Sequence, residues 1–286
     1  MKSLRILIIF LALVATKGAT AVGLDRVRFH NEAVDTTAIT ALLIKAEPIK
    51  DPGQRVAMLA REFLGRPYVA HTLEGEPEML TVNLDEVDCT TFVETVMALA
   101  FTAGEGRTSW RDFVYNLEKL RYRGGEMNGY PSRLHYISDW IVNNNHRGNF
   151  REVTDRLPSV SYAIKTLDFM SRHRDAYPAL ADDANYEGIK NVELGYRSHR
   201  FPYIKWEKTD SRQVIDALGE GDILAFTCAA KDLDVSHLGI LTMVDGKPHV
   251  LHASSSAGKV VVSQHDLREF LRRNRLTGIR VIRLNN

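Results

Sequence analysis

Two residue types in this chain can do acyl-transfer chemistry, and their placement is uneven. The 286-residue sequence has two cysteines and ten histidines. Cys89 lies in Val87-Asp88-Cys89-Thr90-Thr91-Phe92, where an acidic residue precedes an amphipathic helix pattern. A thiol at a helix start meets the partial positive charge of the N-terminus, which favours the thiolate, the nucleophilic form. Cys228 closes the apolar, strand-like run Ile223-Leu224-Ala225-Phe226-Thr227, where a free cysteine behaves as a small hydrophobe. The two settings predict a nucleophile at Cys89 and a packing residue at Cys228. A Cys89–Cys228 disulfide is the alternative.

A cysteine nucleophile needs a base, and the base needs a group to orient it. Asp245-Gly246 between two apolar runs is a two-residue hairpin signal. With that turn, residues whose numbers sum to 491 face each other. His252 then falls opposite Gly239, and His237 opposite Ser254. His237 and His252 share a face as diagonal neighbours, about 7–8 Å apart at the backbone. His249 falls on the other face, and an odd-length loop would exchange it for His252. Gly239 is expected to leave open space beside the pair. Ordinary sheet histidines are the competing reading of the two positions.

The elements that must position these groups follow from periodicity. Thr36–Ala46 and Gln54–Leu64 carry apolar residues at helical spacing, and Gly65-Arg66-Pro67 ends the second run. After Cys89, residues Phe92, Val93, Val96, Met97 and Ala100 mark one buried side of a helix. Residues of about 105–200 read as a polar helical insertion, with helices at Trp110–Arg121, Leu134–Asn143 and Val160–Arg172. The last third predicts strands at Asp222–Thr227, Ser236–Val244, His249–Ser254, Lys259–Ser263 and Gly278–Leu284. Helices followed by antiparallel strands make an α+β fold. The glycine-rich stretch Gly124–Gly129 lacks phosphate-loop spacing.

The N-terminus reads as a secretion signal: Lys2 and Arg5, the apolar run Ile6–Ala15, and Ala19-Thr20-Ala21 as a cleavage site. Residues 1–21 are thus expected to be removed, leaving 22–286 as one catalytic domain, secreted and periplasmic. Loss of Lys2, Arg5 and Lys17 takes the formal charge from +1 to −2. Such a balance does not suggest nucleic acid or a membrane surface as partner. No HExxH pattern or zinc-type histidine spacing occurs, so neither metal nor cofactor is expected.

Gly65-Arg66-Pro67-Tyr68, Asp88-Cys89-Thr90-Thr91-Phe92, Gly221-Asp222-Ile223-Leu224, Ser236-His237-Leu238-Gly239-Ile240 and Leu251-His252-Ala253-Ser254 resemble, in order, the NlpC/P60 cysteine peptidases. Thr72-Leu73-Glu74, Ser132-Arg133-Leu134-His135-Tyr136-Ile137-Ser138-Asp139-Trp140 and Leu233-Asp234-Val235-Ser236-His237 look like the DUF1460 branch, which is N-acetylmuramoyl-L-alanine amidase-like. The resemblance implies a papain-like core: a helix carrying the nucleophile, packed on an antiparallel sheet or half-barrel, with the insertion as a subdomain. It implies Cys89 as nucleophile, His237 as base and His252 as orienting residue. Tyr68, Asp88 and Ser236 become expected substrate contacts, and Arg133, His135 and Asp139 candidate cleft residues. The implied substrate is peptidoglycan or a muropeptide, cut at the amide between muramic acid and L-alanine, with 1,6-anhydro fragments favoured. Cleavage of γ-D-glutamyl–diaminopimelate is the alternative. A non-catalytic wall-binding protein and an acyltransferase are further ones. The branch favours glycine after Tyr-Val-Ala, where this chain has His71.

Overall fold

The computed structural model describes residues 23–285, so the expected signal segment lies outside the described residues. The chain begins with strand β1 (Val27–Phe29), helices α1 (Glu32–Ala46) and α2 (Pro52–Arg61), and β2 (Leu80–Val82), which pairs parallel with β1. Helix α3 (Cys89–Gly104) and helix α4 (Trp110–Arg121) follow. Then come α5 (Ile137–His146), β3 (Phe150–Glu152), β4 (Val160–Lys165), α6 (Phe169–Arg172), α7 (Asp183–Leu194) and β5 (His199–Lys205). The C-terminal third holds α8 (Arg212–Ala217), β6 (Ile223–Thr227), β7 (Val235–Val244), β8 (Lys247–Ser254), β9 (Lys259–Val262), α9 (Leu267–Arg273) and β10 (Gly278–Leu284). This is a mixed fold in which helices surround one antiparallel sheet.

That sheet runs β4-β5-β10-β6-β7-β8-β9, with β3 added on β10. Helix α3 packs on one face, against Leu238 and Ile240 of β7 and Leu251 and Ala253 of β8. Its Phe92, Val93, Val96, Met97 and Ala100 are all fully buried. Each large apolar side chain so buried contributes about 1.5–3 kcal/mol, so α3 is fixed as the central element of this layer. Helix α9 covers the other face through Phe270 and Leu267, against Phe226, Leu241 and Val250.

The five C-terminal strands match the periodicity reading closely. Asp245 and Gly246 both have positive φ, 48° and 75°, the mirror-image turn expected of an Asp-Gly hairpin. Pairs such as Ile240↔Leu251 and Thr242↔His249 keep the register in which numbers sum to 491. The insertion differs from expectation. Val160–Lys165 is a strand, not a helix, and pairs antiparallel with His199–Lys205. Alternating Val160, Tyr162 and Ile164 suit a pleated surface, and a partner some 40 positions away decides the conformation. The insertion therefore supplies strands to the main sheet and is not purely helical. No helix among the described residues is long and apolar enough to cross a membrane.

Candidate active site

Asp88 is the N-cap of α3. Its carboxylate accepts from the backbone N–H groups of Thr90 (2.9 Å) and Thr91 (2.7 Å), while the Thr91 hydroxyl accepts from Asp88 N–H (2.9 Å). This capping box satisfies the orphan donors of the first turn. It places Cys89 at the first helical position, partly buried. Tyr68 is held beside it: Val69 N–H bonds Val87 O (3.1 Å), and Val87 N–H bonds Pro67 O (3.1 Å). Burial raises the Tyr68 phenol's pKa, with Cys89 and Asp88 adding to the rise.

The electrostatics of Cys89 reverse the sequence expectation. Burial, and then the Asp88 carboxylate, push its thiol up to about 11, against hydrogen bonds from Leu238 N–H, Thr90 and its own N–H. Burial is the larger cause, and Asp88 adds to it by occupying the positive end of α3 with a full negative charge. The resting group is therefore a thiol. Cys89 and Cys228 are both free, which removes the disulfide alternative.

The approach of Leu238 N–H to the sulfur follows from strand geometry. Leu241 N–H bonds Asp222 O (2.8 Å), toward β6. Alternation then aims the N–H groups of Leu238 and Ile240 toward β8. The paired register of β7 and β8 ends at Ile240↔Leu251. Leu238 N–H, two residues beyond that register's end, lies near the Cys89 sulfur instead. The Cys89 sulfur thus approaches β7 beside the peptide bond that follows His237.

His237 and His252 project from the opposite face to α3, and the expected pairing is present. His237 Nε2 and His252 Nδ1 are 2.8 Å apart. The His237 ring stacks on Phe226 (centroids 5.6 Å), and the His252 ring meets Phe270 edge-on (5.1 Å). With Nε2 engaged, Nδ1 is the His237 nitrogen outside the pair. Burial and the neighbouring His252 push His237 down to about 3, and burial pushes His252 down to about 4. Both rings are neutral at pH 7. Gly239 does not leave open space: a Cβ there would lie 2.6 Å from Val250 Cγ1 and 3.3 Å from His252 Cβ. The missing side chain is what lets His252 pack there.

A cleft opens on the α3 side of the thiol, lined by Asp88, Thr90, His71, Glu74, Arg133 and His135. Arg133 is buried, bonds Glu74 Oε1 (2.8 Å) and Leu73 O (3.2 Å), and lies over the Tyr130 ring. His135 donates through Nε2 to Tyr130 O (3.0 Å), and burial, then Arg133, keep it neutral. Ser236 is exposed and lies with the histidine pair. Asp139 is not a cleft residue. It is 1% exposed, gripped by both terminal nitrogens of Arg123 and by the Tyr196 hydroxyl (2.8 Å). Its place on the inner face of α5 makes it a structural ion-pair partner.

Two contacts and one backbone conformation lie beyond what the sequence predicts. Glu94, one turn beyond Cys89, bonds Arg121 at 2.7 Å on the cleft floor. A charge in a buried helix is a signal for such a pair. His71 has φ 63°, the left-handed region that favours glycine, which gives a physical sense to the residue's departure from the glycine pattern. Lys165 of β4 donates to three carbonyls, Cys228 (2.5 Å), Ala230 (2.6 Å) and Leu233 (2.7 Å), and so clamps the loop leading to His237. Nothing in the local pattern announces that clamp.

Residues 58–279 match the family described as N-acetylmuramoyl-L-alanine amidase-like. Among solved structures, an N-acetylmuramoyl-L-alanine amidase from Bacteroides uniformis is 39% identical, covers 82% of this chain and 99% of its own, and superposes with a TM-score of 0.78. A Bacteroides fragilis protein whose name suggests a xylanase is also 39% identical, over 79% of this chain and 100% of its own, with a TM-score of 0.74. A Legionella pneumophila protein of family DUF1460 shares the fold at 21% identity, over 89% of this chain and 96% of its own, with a TM-score of 0.70. No curated protein matches.

Proposed function

From the premise that this chain belongs to the N-acetylmuramoyl-L-alanine amidase-like family, we propose that it is a cysteine-dependent amidase with a papain-like, NlpC/P60-type core. Its substrate is the amide between muramic acid and L-alanine of a peptidoglycan stem, with soluble 1,6-anhydro fragments preferred. The proposed site of action is the periplasm. The observation that carries the reading is the His237–His252 pair at 2.8 Å, on the strand whose Leu238 N–H lies near the Cys89 sulfur.

Neutral His237 takes the thiol proton through Nδ1 as the sulfur attacks the carbonyl carbon. His252 accepts from Nε2–H, which fixes the required tautomer and steadies the imidazolium. The N–H of Cys89, at the helix start, faces the developing oxyanion. His237 returns the proton to the leaving amine, and water, activated by the same ring, releases the muramyl acyl group from sulfur. Tyr68, Asp88 and Ser236 contact the substrate around this centre, and Arg133 and His135 shape the cleft.

Xylan hydrolysis, suggested by the Bacteroides fragilis name, needs two free carboxyl groups across a sugar bond. Here Asp88 is used by its helix, Glu94 by Arg121 and Glu74 by Arg133, so the amide reading is favoured. The test is digestion of purified muropeptides, with and without the anhydro end, followed by mass spectrometry. Release of intact stem peptide beginning at L-alanine supports the amidase. Release of L-Ala–D-Glu, free or sugar-linked, would replace it with the endopeptidase reading.

A further inference from the structure

On the α9 face of the sheet, apart from the Asp88 cleft in its lining, a groove leads from His237 and His252 past Ser254 and Ser256 to Lys259 and Arg273. Its charge differs from that of the cleft. Among the described residues no carboxylate lines the groove, and Lys259 is exposed with no ion-pair partner. Arg273 shares the single carboxylate of Glu269 with Arg272, so that end of α9 keeps a surplus positive charge. The cleft has three carboxylates, Asp88, Glu74 and Glu94, against two guanidinium groups, Arg121 and Arg133.

We infer that this groove holds the departing half of the substrate, a peptide bearing free carboxylates. The inference rests on the amidase reading and extends it to the orientation of the substrate. The bond cleaved joins an acyl carbon, attacked by Cys89, to a nitrogen that receives its proton from His237. The acyl half must therefore lie on the Asp88 side of the sulfur, and the amine half must leave over the histidines. A peptide leaving in that direction enters a groove whose charged groups are cationic and whose serine hydroxyls can bond its amides. A stem peptide continues beyond L-alanine with carboxylates, and complementary charge attracts it. The largely uncharged sugar acyl half takes the cleft, where carboxylates outnumber guanidinium groups and can accept from sugar hydroxyls.

The experiment compares wild type with Lys259→Gln/Arg273→Gln on two muropeptides, one with free stem carboxylates and one with those carboxylates amidated. Two exposed charge contacts predict about a tenfold rise in KM for the acid substrate. They predict less than a twofold change for the amide and an unchanged kcat. Equal effects on both substrates, or none, overturn the assignment. In parallel, the free tripeptide L-alanyl-γ-D-glutamyl-diaminopimelate is titrated into Cys89→Ala protein. Its Kd should rise about tenfold with the double substitution, and an unchanged Kd overturns the groove. The titration needs no turnover, so a wild type that cleaves no muropeptide would refute the amidase reading while the groove is still judged on binding.

Discussion

Alkylation of Cys89 across pH separates a waiting thiolate from a thiol activated only during reaction. The perturbation is pH alone, in a Cys228→Ala background so that one thiol is read. Burial and Asp88 hold the Cys89 thiol up to about 11. At pH 7 that leaves roughly one molecule in ten thousand as thiolate. Iodoacetamide should therefore react slowly at pH 7 and about tenfold faster for each unit of pH up to about 10. In the proposed mechanism, hydrolysis requires the thiol together with an unprotonated His237, which is pushed down to about 3. Because that value lies below the ordinary histidine range, protonation removes the base only in strong acid. Turnover should stay flat between about pH 5 and 9 while alkylation climbs. His252, at about 4, titrates in the same acid window. Neutral burial of both rings also means that stability falls as pH drops below 6.5, where the unfolded chain binds protons first; thermal melts at each pH identify any unfolding. An alkylation rate that plateaus below pH 7, or a kcat/KM limb near 6.5, would refute the neutral-pair account.

Other outcomes follow from single contacts. Gly239→Ala places a methyl 2.6 Å from Val250 Cγ1 and 3.3 Å from His252 Cβ; it should cost about 1–3 kcal/mol in urea unfolding and lower kcat by displacing His252. Unchanged kcat would contradict the packing role assigned to this glycine. Lys165→Met orphans three carbonyls of the loop before His237; a loss of about 2–3 kcal/mol with a fall in kcat greater than any change in KM is expected. An unaltered melting temperature would argue against the clamp. His71→Gly relieves a left-handed φ of 63° and should stabilise by ~0.5–1 kcal/mol; destabilisation would show that the His71 side chain makes contacts worth more than the strain.

The C-terminal half of the site was legible because it is local. Asp245-Gly246 fixes a turn, the turn fixes register, and register fixes which faces His237 and His252 share. Their approach to 2.8 Å needed only strand geometry. The run Phe92–Ala100 likewise announced a buried helix, and its start placed Cys89. The thiol's protonation is not legible from helix polarity alone: burial, which depends on the layers packed around Cys89, raises its pKa most, and the Asp88 cap adds to the rise. Val160–Arg172 was misread because its first half takes its conformation from β5, which no window around it contains. Asp139 was placed in the cleft from its motif, yet side-chain direction on α5 turns it inward to Arg123 and Tyr196. Long-range ion pairs of this kind depend on how layers stack, which spacing along the chain does not encode.

Turnover of a muropeptide substrate by Cys89→Ala and by Cys228→Ala, each verified as folded by its thermal melt, tests the central claim most directly. The account predicts no detectable stem-peptide release from Cys89→Ala and near wild-type release from Cys228→Ala. Release by folded Cys89→Ala, or equal losses in the two variants, would contradict it.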